Sequence, residues 1–220
     1  MTYQDLIKYL FEIREQKFAD FSQTLSASDY ISIGVKNPVL RQLIKDYKND
    51  PELRIEDFEL GKYLEVDFLY FGLALSRAKT IDEQLNFLKC EIKKAKSWAI
   101  TDCVTTFLKK STFDKFKNFY DELHKSKYTF ERRFCYVFGL KHSKNPGILE
   151  IFPKFSLKEE YPVMMAEAWL LATIAIDFPD QVFAFLKQID DDVLRRKTIQ
   201  KMCDSFRISN EQKERFKGLR

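Results

Sequence analysis

Apolar residues recur at helical spacing from one end of the 220-residue chain to the other, and no segment sustains the strict alternation of a strand. The spacing predicts helices near Tyr3 to Glu15, Lys17 to Leu25, Pro38 to Lys48, Asp57 to Leu64, Val66 to Ala78, Ile81 to Lys94 and Trp98 to Lys109. It predicts further helices at Phe113 to Lys125, Phe130 to Lys141, Pro146 to Phe152, Lys158 to Ile176, Pro179 to Gln188, Asp191 to Cys203 and Asn210 to Lys217. Asn37-Pro38 reads as a cap residue followed by proline at the first helical position, and Thr80 and Ser97 read as N-caps.

The links are short and polar, and none is long enough to divide the chain, so a single domain over residues 1–220 is expected. The fold class is all-α. Short antiparallel pairs suggest a curved α-solenoid of about six HEAT-like helix pairs, each burying its apolar face on the next. No crisp repeat motif is visible, and a compact irregular bundle is the competing architecture. Six Gly and six Pro against 21 Phe fit a helix-rich chain with little room for hairpins. Hydrophobic content of 45% with 32% charged residues is that of a soluble globular protein.

Charge changes the picture only at the end. Nine basic residues, among them Arg195, Arg196, Lys201 and Arg207, face three acidic ones from Val193 onward, within a net charge of +4 for the whole chain. A basic end on a near-neutral body points to a polyanionic partner, or to ordinary solvated helix surface. Cys90, Cys103, Cys135 and Cys203 have neither Cys-x-x-Cys nor metal-like spacing to His124 or His142, so reduced core thiols of a cytoplasmic protein are expected. No secretory signal is visible, and the apolar run from Ala168 to Ile176 is too short to span a bilayer. Glycine-rich phosphate loops, nucleophile elbows and Cys/His pairs are likewise missing from the sequence.

Two tryptophans carry the chemistry. Trp98 and Asp102 are one helical turn apart, so ring and carboxylate share a face. Ile100, Cys103, Val104, Phe107 and Leu108 surround that acid with apolar neighbours, and a carboxylate there needs a partner or a purpose. An aromatic face beside an anion is a receptor for a cation. Core packing of the ring, with Asp102 capping or bridging, is the plainer alternative. Arg133 interrupts the apolar stripe Phe130, Val137, Leu140, where it could pair with Asp102, reach a phosphate or form a structural salt bridge. Arg132 points elsewhere and is expected to be solvated. Trp169 follows the small turn Met164-Met165-Ala166, which could leave its ring open; the default is again core.

Together these segments resemble the AlkD-like family of DNA alkylation-repair glycosylases, built from HEAT-like repeats. The resemblance rests on Gly34-Val35-Lys36-Asn37-Pro38-Val39-Leu40-Arg41, Ser97-Trp98-x-x-x-Asp102, Arg133-Phe134 with Leu140-Lys141, Ala168-Trp169-Leu170-Leu171, and the tail from Gln200 to Ser209. It spans about Ile31 to Arg220. It implies excision of cationic alkylpurines such as 3-methyladenine and 7-methylguanine from duplex DNA. Asp102 would be the catalytic carboxylate, Trp98 and Trp169 the cleft aromatics, and Arg133 the phosphate or carboxylate partner. The damaged base need not enter a pocket, and no metal or organic cofactor is needed. Lys109, Lys110, Lys141, Lys144, Arg195, Arg196, Lys201 and Arg207 are the expected DNA contacts of a monomeric, nucleoid-associated enzyme with no membrane partner. The chain departs from some family members beside Trp98, where Ser97, Ala99 and Ile100 replace a second aromatic and an extra acid, and at Pro162-Val163-Met164-Met165. A non-catalytic HEAT-like scaffold binding DNA or protein is therefore the alternative.

Overall fold

The apolar stripes become helices almost wherever the sequence predicts them. A computed structural model describes residues 1–26, 29–152 and 159–219, and among these the chain is all-α, with no strand. Extended pairing is confined there to a single bridge, Ile31 to Tyr63. The chain divides into two compact units, Met1–Ser111 and Thr112–Arg220.

The first unit holds α1 (Tyr3–Glu12), α2 (Gln16–Ser26), α3 (Asn37–Tyr47), α4 (Leu64–Arg77), α5 (Ile81–Glu91) and α6 (Trp98–Val104). Its centre is α4, buried on every side from Glu65 to Leu73. Two acids in the first turn of α4 are buried because they tie down loops. The Glu65 carboxylate accepts from the Ile33, Gly34 and Val35 amides at 2.9, 2.8 and 3.2 Å and from Ser32 Oγ at 3.1 Å. Asp67 accepts from the Tyr30 hydroxyl and, at 2.9 Å, from the Gly61 amide. Burial pushes the Asp67 carboxyl up to about 6 even so. Gly34 holds φ at 102°, and a Cβ there would lie 2.5 Å from the Glu15 carbonyl oxygen, so only glycine fits. Arg77 closes the other end of α4 by donating to the Tyr47, Lys48, Asp50 and Leu53 carbonyls.

The second unit holds α7 (Phe113–Leu123), α8 (Thr129–Gly139), α9 (Tyr161–Ile174), α10 (Pro179–Gln188), α11 (Asp192–Asp204) and α12 (Asn210–Lys217). Its core is aromatic. Phe116, Phe119 and Phe138 meet edge to face at centroid distances of 5.2–5.7 Å, a favoured ring geometry. Gly139 lets α8 approach α9 so closely that an added Cβ would lie 2.6 Å from Leu170 Cδ2.

Several expectations are corrected. Residues Asp57 to Leu64 are not a helix; a 3-10 turn at Ile55–Asp57 gives way to extended chain, because Gly61 adopts φ 88° and its amide is held by Asp67. Residues Pro146 to Phe152 form only a 3-10 turn, Ile148–Ile151. The predicted Trp98 to Lys109 helix tightens to a 3-10 turn at Thr105–Phe107. There Thr105 Oγ1 and Thr106 Oγ1 donate back to the Asp102 and Cys103 carbonyls at 2.8 and 2.7 Å, a competition that shortens helices. Lys36, not Asn37, is the N-cap of α3. Lys158, the expected start of α9, lies outside the described residues. Only Cys135 of the four free cysteines is a core thiol, since Cys90 is exposed and Cys103 and Cys203 lie between.

Candidate functional site

In the first unit, Ser97 caps α6 by accepting from the Ala99 amide at 3.2 Å, which sets Trp98 at the first helical position. Trp98 is not core: 37% of it is exposed, and its indole N–H donates to the Leu25 carbonyl of α2 at 3.2 Å. One turn on, Asp102 is half-buried, with Thr101 Oγ1 donating to its Oδ1 at 3.3 Å. Both border a cavity of about 190 Å³ walled by Phe18, Phe21, Leu25 and Phe68. Asp102 and Glu65 are the charged groups of its lining, and no lysine or arginine lines it. Glu65 is fully engaged with backbone amides, so Asp102 supplies the local negative charge. Aromatic walls with a carboxylate form a receptor for positive charge. The cavity is a feature the sequence does not announce, since its walls come from α2, α3, α4 and α6.

In the second unit, Trp169 stands 36% exposed on α9, whose Ala166, Ala168, Leu170 and Leu171 are buried. The exposed ring, like that of Trp98, departs from the default of a core tryptophan. Arg133 on α8 is 6% exposed, and its Nη1 donates to the Pro162 carbonyl in the first turn of α9. Trp98 and Asp102 are thus brought together in one unit, and α8 and α9 carry Arg133 and Trp169 in the other.

Arg132 is not solvated. Its side chain is 12% exposed, paired with Glu159 at 3.0 Å and Glu160 at 3.3 Å, and donating to the Ser126 carbonyl. A long cation at a helix start buries its stem and finds acids at the start of the next helix. Of the predicted DNA contacts, Lys109, Lys110, Lys141, Lys144, Arg196 and Arg207 are exposed and Lys201 is partly so. Arg195 is employed differently: it donates to the Leu186 and Ile189 carbonyls and to Asp192, closing the end of α10.

Two groups escape the sequence reading. Glu167, on the far side of α9 from Trp169, is 5% exposed, and burial, with Glu159 and Asp191 adding, pushes its carboxyl up to about 8. Its sequence signal is the charge inside Ala166-Glu167-Ala168. Arg41 on α3 donates to Thr106 Oγ1 at 2.7 Å and lies over the Phe68 and Phe107 rings at 5.7 and 5.2 Å. The helix register alone does not disclose those rings, which come from α4 and the turn after α6.

A family model described as DNA alkylation repair enzyme matches residues 6–203. No curated protein and no solved structure is matched by the chain. The match runs through both units and takes in Trp98, Asp102, Arg133 and Trp169, and the chain belongs to the DNA alkylation repair enzyme family.

Proposed function

We propose that this protein is a DNA glycosylase that excises cationic alkylated purines, such as 3-methyladenine and 7-methylguanine, from duplex DNA. The observation that carries the reading is the pairing of Trp98 with Asp102 in the lining of a cavity that also holds Phe18, Phe21 and Phe68. An alkylated purine carries a positive charge that weakens its glycosidic bond. As that bond breaks, the electron pair leaves with the base, which departs neutral, and positive charge develops on the deoxyribose. The Asp102 carboxylate stabilises that oxocarbenium-like sugar, and the Trp98 face offers cation–π contact. Asp102 also orients the water whose oxygen bonds to the anomeric carbon and whose proton is released, completing hydrolysis. Arg133 and Trp169 enter the proposal through the family resemblance, as phosphate or carboxylate partner and second aromatic.

The exposed lysines and arginines named above are the proposed backbone contacts. The wider proposal is a single domain of HEAT-like helix pairs, acting as a monomer in the cytoplasm near the nucleoid. The test is single-turnover release of 7-methylguanine from duplex DNA. Asp102→Asn keeps the shape and removes the charge, and a loss of about 100- to 1000-fold in rate is expected. A wild-type protein that releases no base above the spontaneous rate refutes the assignment. The second reading, a silent scaffold of the same family, is favoured by one observation: the buried Arg133 guanidinium has structural employment at Pro162.

A further inference from the structure

We infer that Arg41, with Lys45 and Lys48 further along the same edge of α3, forms a phosphate-binding groove that holds one nucleic-acid strand beside the Trp98–Asp102 helix. The groove has a volume of about 410 Å³, and its lining joins these three cations to Pro38, Gln42 and Phe107 without an aspartate or glutamate. The three are spaced four and three residues apart, so they fall on one face. A rise of 1.5 Å per residue sets them about 6 and about 4.5 Å apart along the axis, a row of cations suited to a row of anions.

The state of Arg41 separates the groove from ordinary lysine-rich surface. Some surface cations elsewhere are paired, as Lys36 with Glu15, Lys94 with Glu91, Lys117 with Asp121 and Lys217 with Glu214, at 2.6–2.8 Å. Among the described residues none of Arg41, Lys45 and Lys48 has a carboxylate partner. Arg41 is also held in place. Stacked on Phe68 and Phe107 and tied to Thr106 Oγ1, its guanidinium is fixed before any ligand arrives, with N–H groups left over. A preorganised, partly desolvated guanidinium without an anion suits bidentate capture of a phosphate.

Its anchor gives the groove a use. Thr106 donates to the Cys103 carbonyl, one residue beyond Asp102, and Asn37 Nδ2 reaches Cys103 Sγ at 4.0 Å. A strand gripped at Arg41 is therefore registered against the turn that carries Asp102. This use rests on the glycosylase reading, whereas the binding itself does not.

The test is fluorescence anisotropy with an unmodified duplex of about 20 base pairs, titrated from low to moderate salt. Arg41→Gln should weaken binding about fivefold to tenfold and lower the slope of log affinity against log salt by about 0.9. The exposed pair Lys45→Gln with Lys48→Gln should lower it by about twice that, without risk to the core. Arg41→Lys should fall between wild type and Arg41→Gln, because it keeps the charge and loses the fork. Lys8→Gln, at an exposed position of α1, should change nothing. Thermal melting confirms that each variant is folded. Unchanged slopes in both groove variants overturn the inference. Arg41-dependent DNA binding without any release of 7-methylguanine sinks the glycosylase reading and leaves the groove standing. Base release with Arg41-independent binding does the reverse.

Discussion

Replacing Glu65 by alanine should remove roughly 3–6 kcal/mol from the stability of the first unit. The carboxylate is 2% exposed and is the acceptor for three consecutive amides, those of Ile33, Gly34 and Val35, and for Ser32 Oγ. Alanine leaves three buried N–H groups without an acceptor, at about 1–3 kcal/mol each. The upper part of that range is not reached, because Glu65 borders the cavity and water entering there can meet some of the orphaned amides. Glu65→Gln separates charge from geometry. With its oxygen at the Oε1 position it keeps the Ser32, Gly34 and Val35 bonds and turns an NH2 group against the Ile33 amide, for a loss of about 1–2 kcal/mol. Urea unfolding followed by far-UV circular dichroism reads both variants against wild type. Against a total of about 5–15 kcal/mol for a domain, the alanine loss is large. If Glu65→Ala unfolds within 1 kcal/mol of wild type, or if the glutamine variant is the less stable, the loop is not held by this carboxylate and the reasoning fails.

Gly139→Ala should cost about 1–3 kcal/mol and lower the melting temperature by several degrees, since its Cβ would meet Leu170 Cδ2 at 2.6 Å and Phe116 Cζ at 3.3 Å in a closed interface. Scanning calorimetry checks it, and an unchanged melting point would show that α8 and α9 can separate freely. Glu167 gives a pH dependence with a definite sign. Its folded carboxyl is raised from 4.5 to about 8, so the folded state holds the proton longer than the unfolded chain. Stability should be full below pH 4.5 and fall by a few kcal/mol as pH rises towards 8. Glu167→Gln should flatten that slope in urea titrations at successive pH values, and an equally steep slope in the variant would assign it elsewhere. Trp98→Ala should slow base release less than Asp102→Asn does, because it removes one wall of the cavity and leaves the charge, as single-turnover rates will show.

How much of this could be read beforehand depended on the range of the interactions. Helix existence rests on local periodicity and caps, and Thr80 and Ser97 cap as read. The Asp57 to Leu64 helix failed because Gly61 and the reach of Asp67 back to it outweigh a weak apolar pattern. The pairing of Trp98 with Asp102 is legible because one helical turn is a local fact. The cavity, the rings under Arg41 and the acids around Arg132 are not, since each is assembled from segments distant in sequence. Exposure of the two tryptophans was the least legible: composition favours burial, and only the packing of Ala166, Ala168 and Leu170 beneath Trp169 reveals that its face is turned out.

Those two rings fall one to each compact unit, each with about a third of its surface open. The chain therefore carries a built-in pair of fluorophores, with no other indole to blur them. Trp98→Phe leaves emission from the second unit alone, and Trp169→Phe leaves that of the first. With these two proteins, acrylamide quenching, denaturant melts and stopped-flow mixing with DNA can each be recorded unit by unit, without an attached dye.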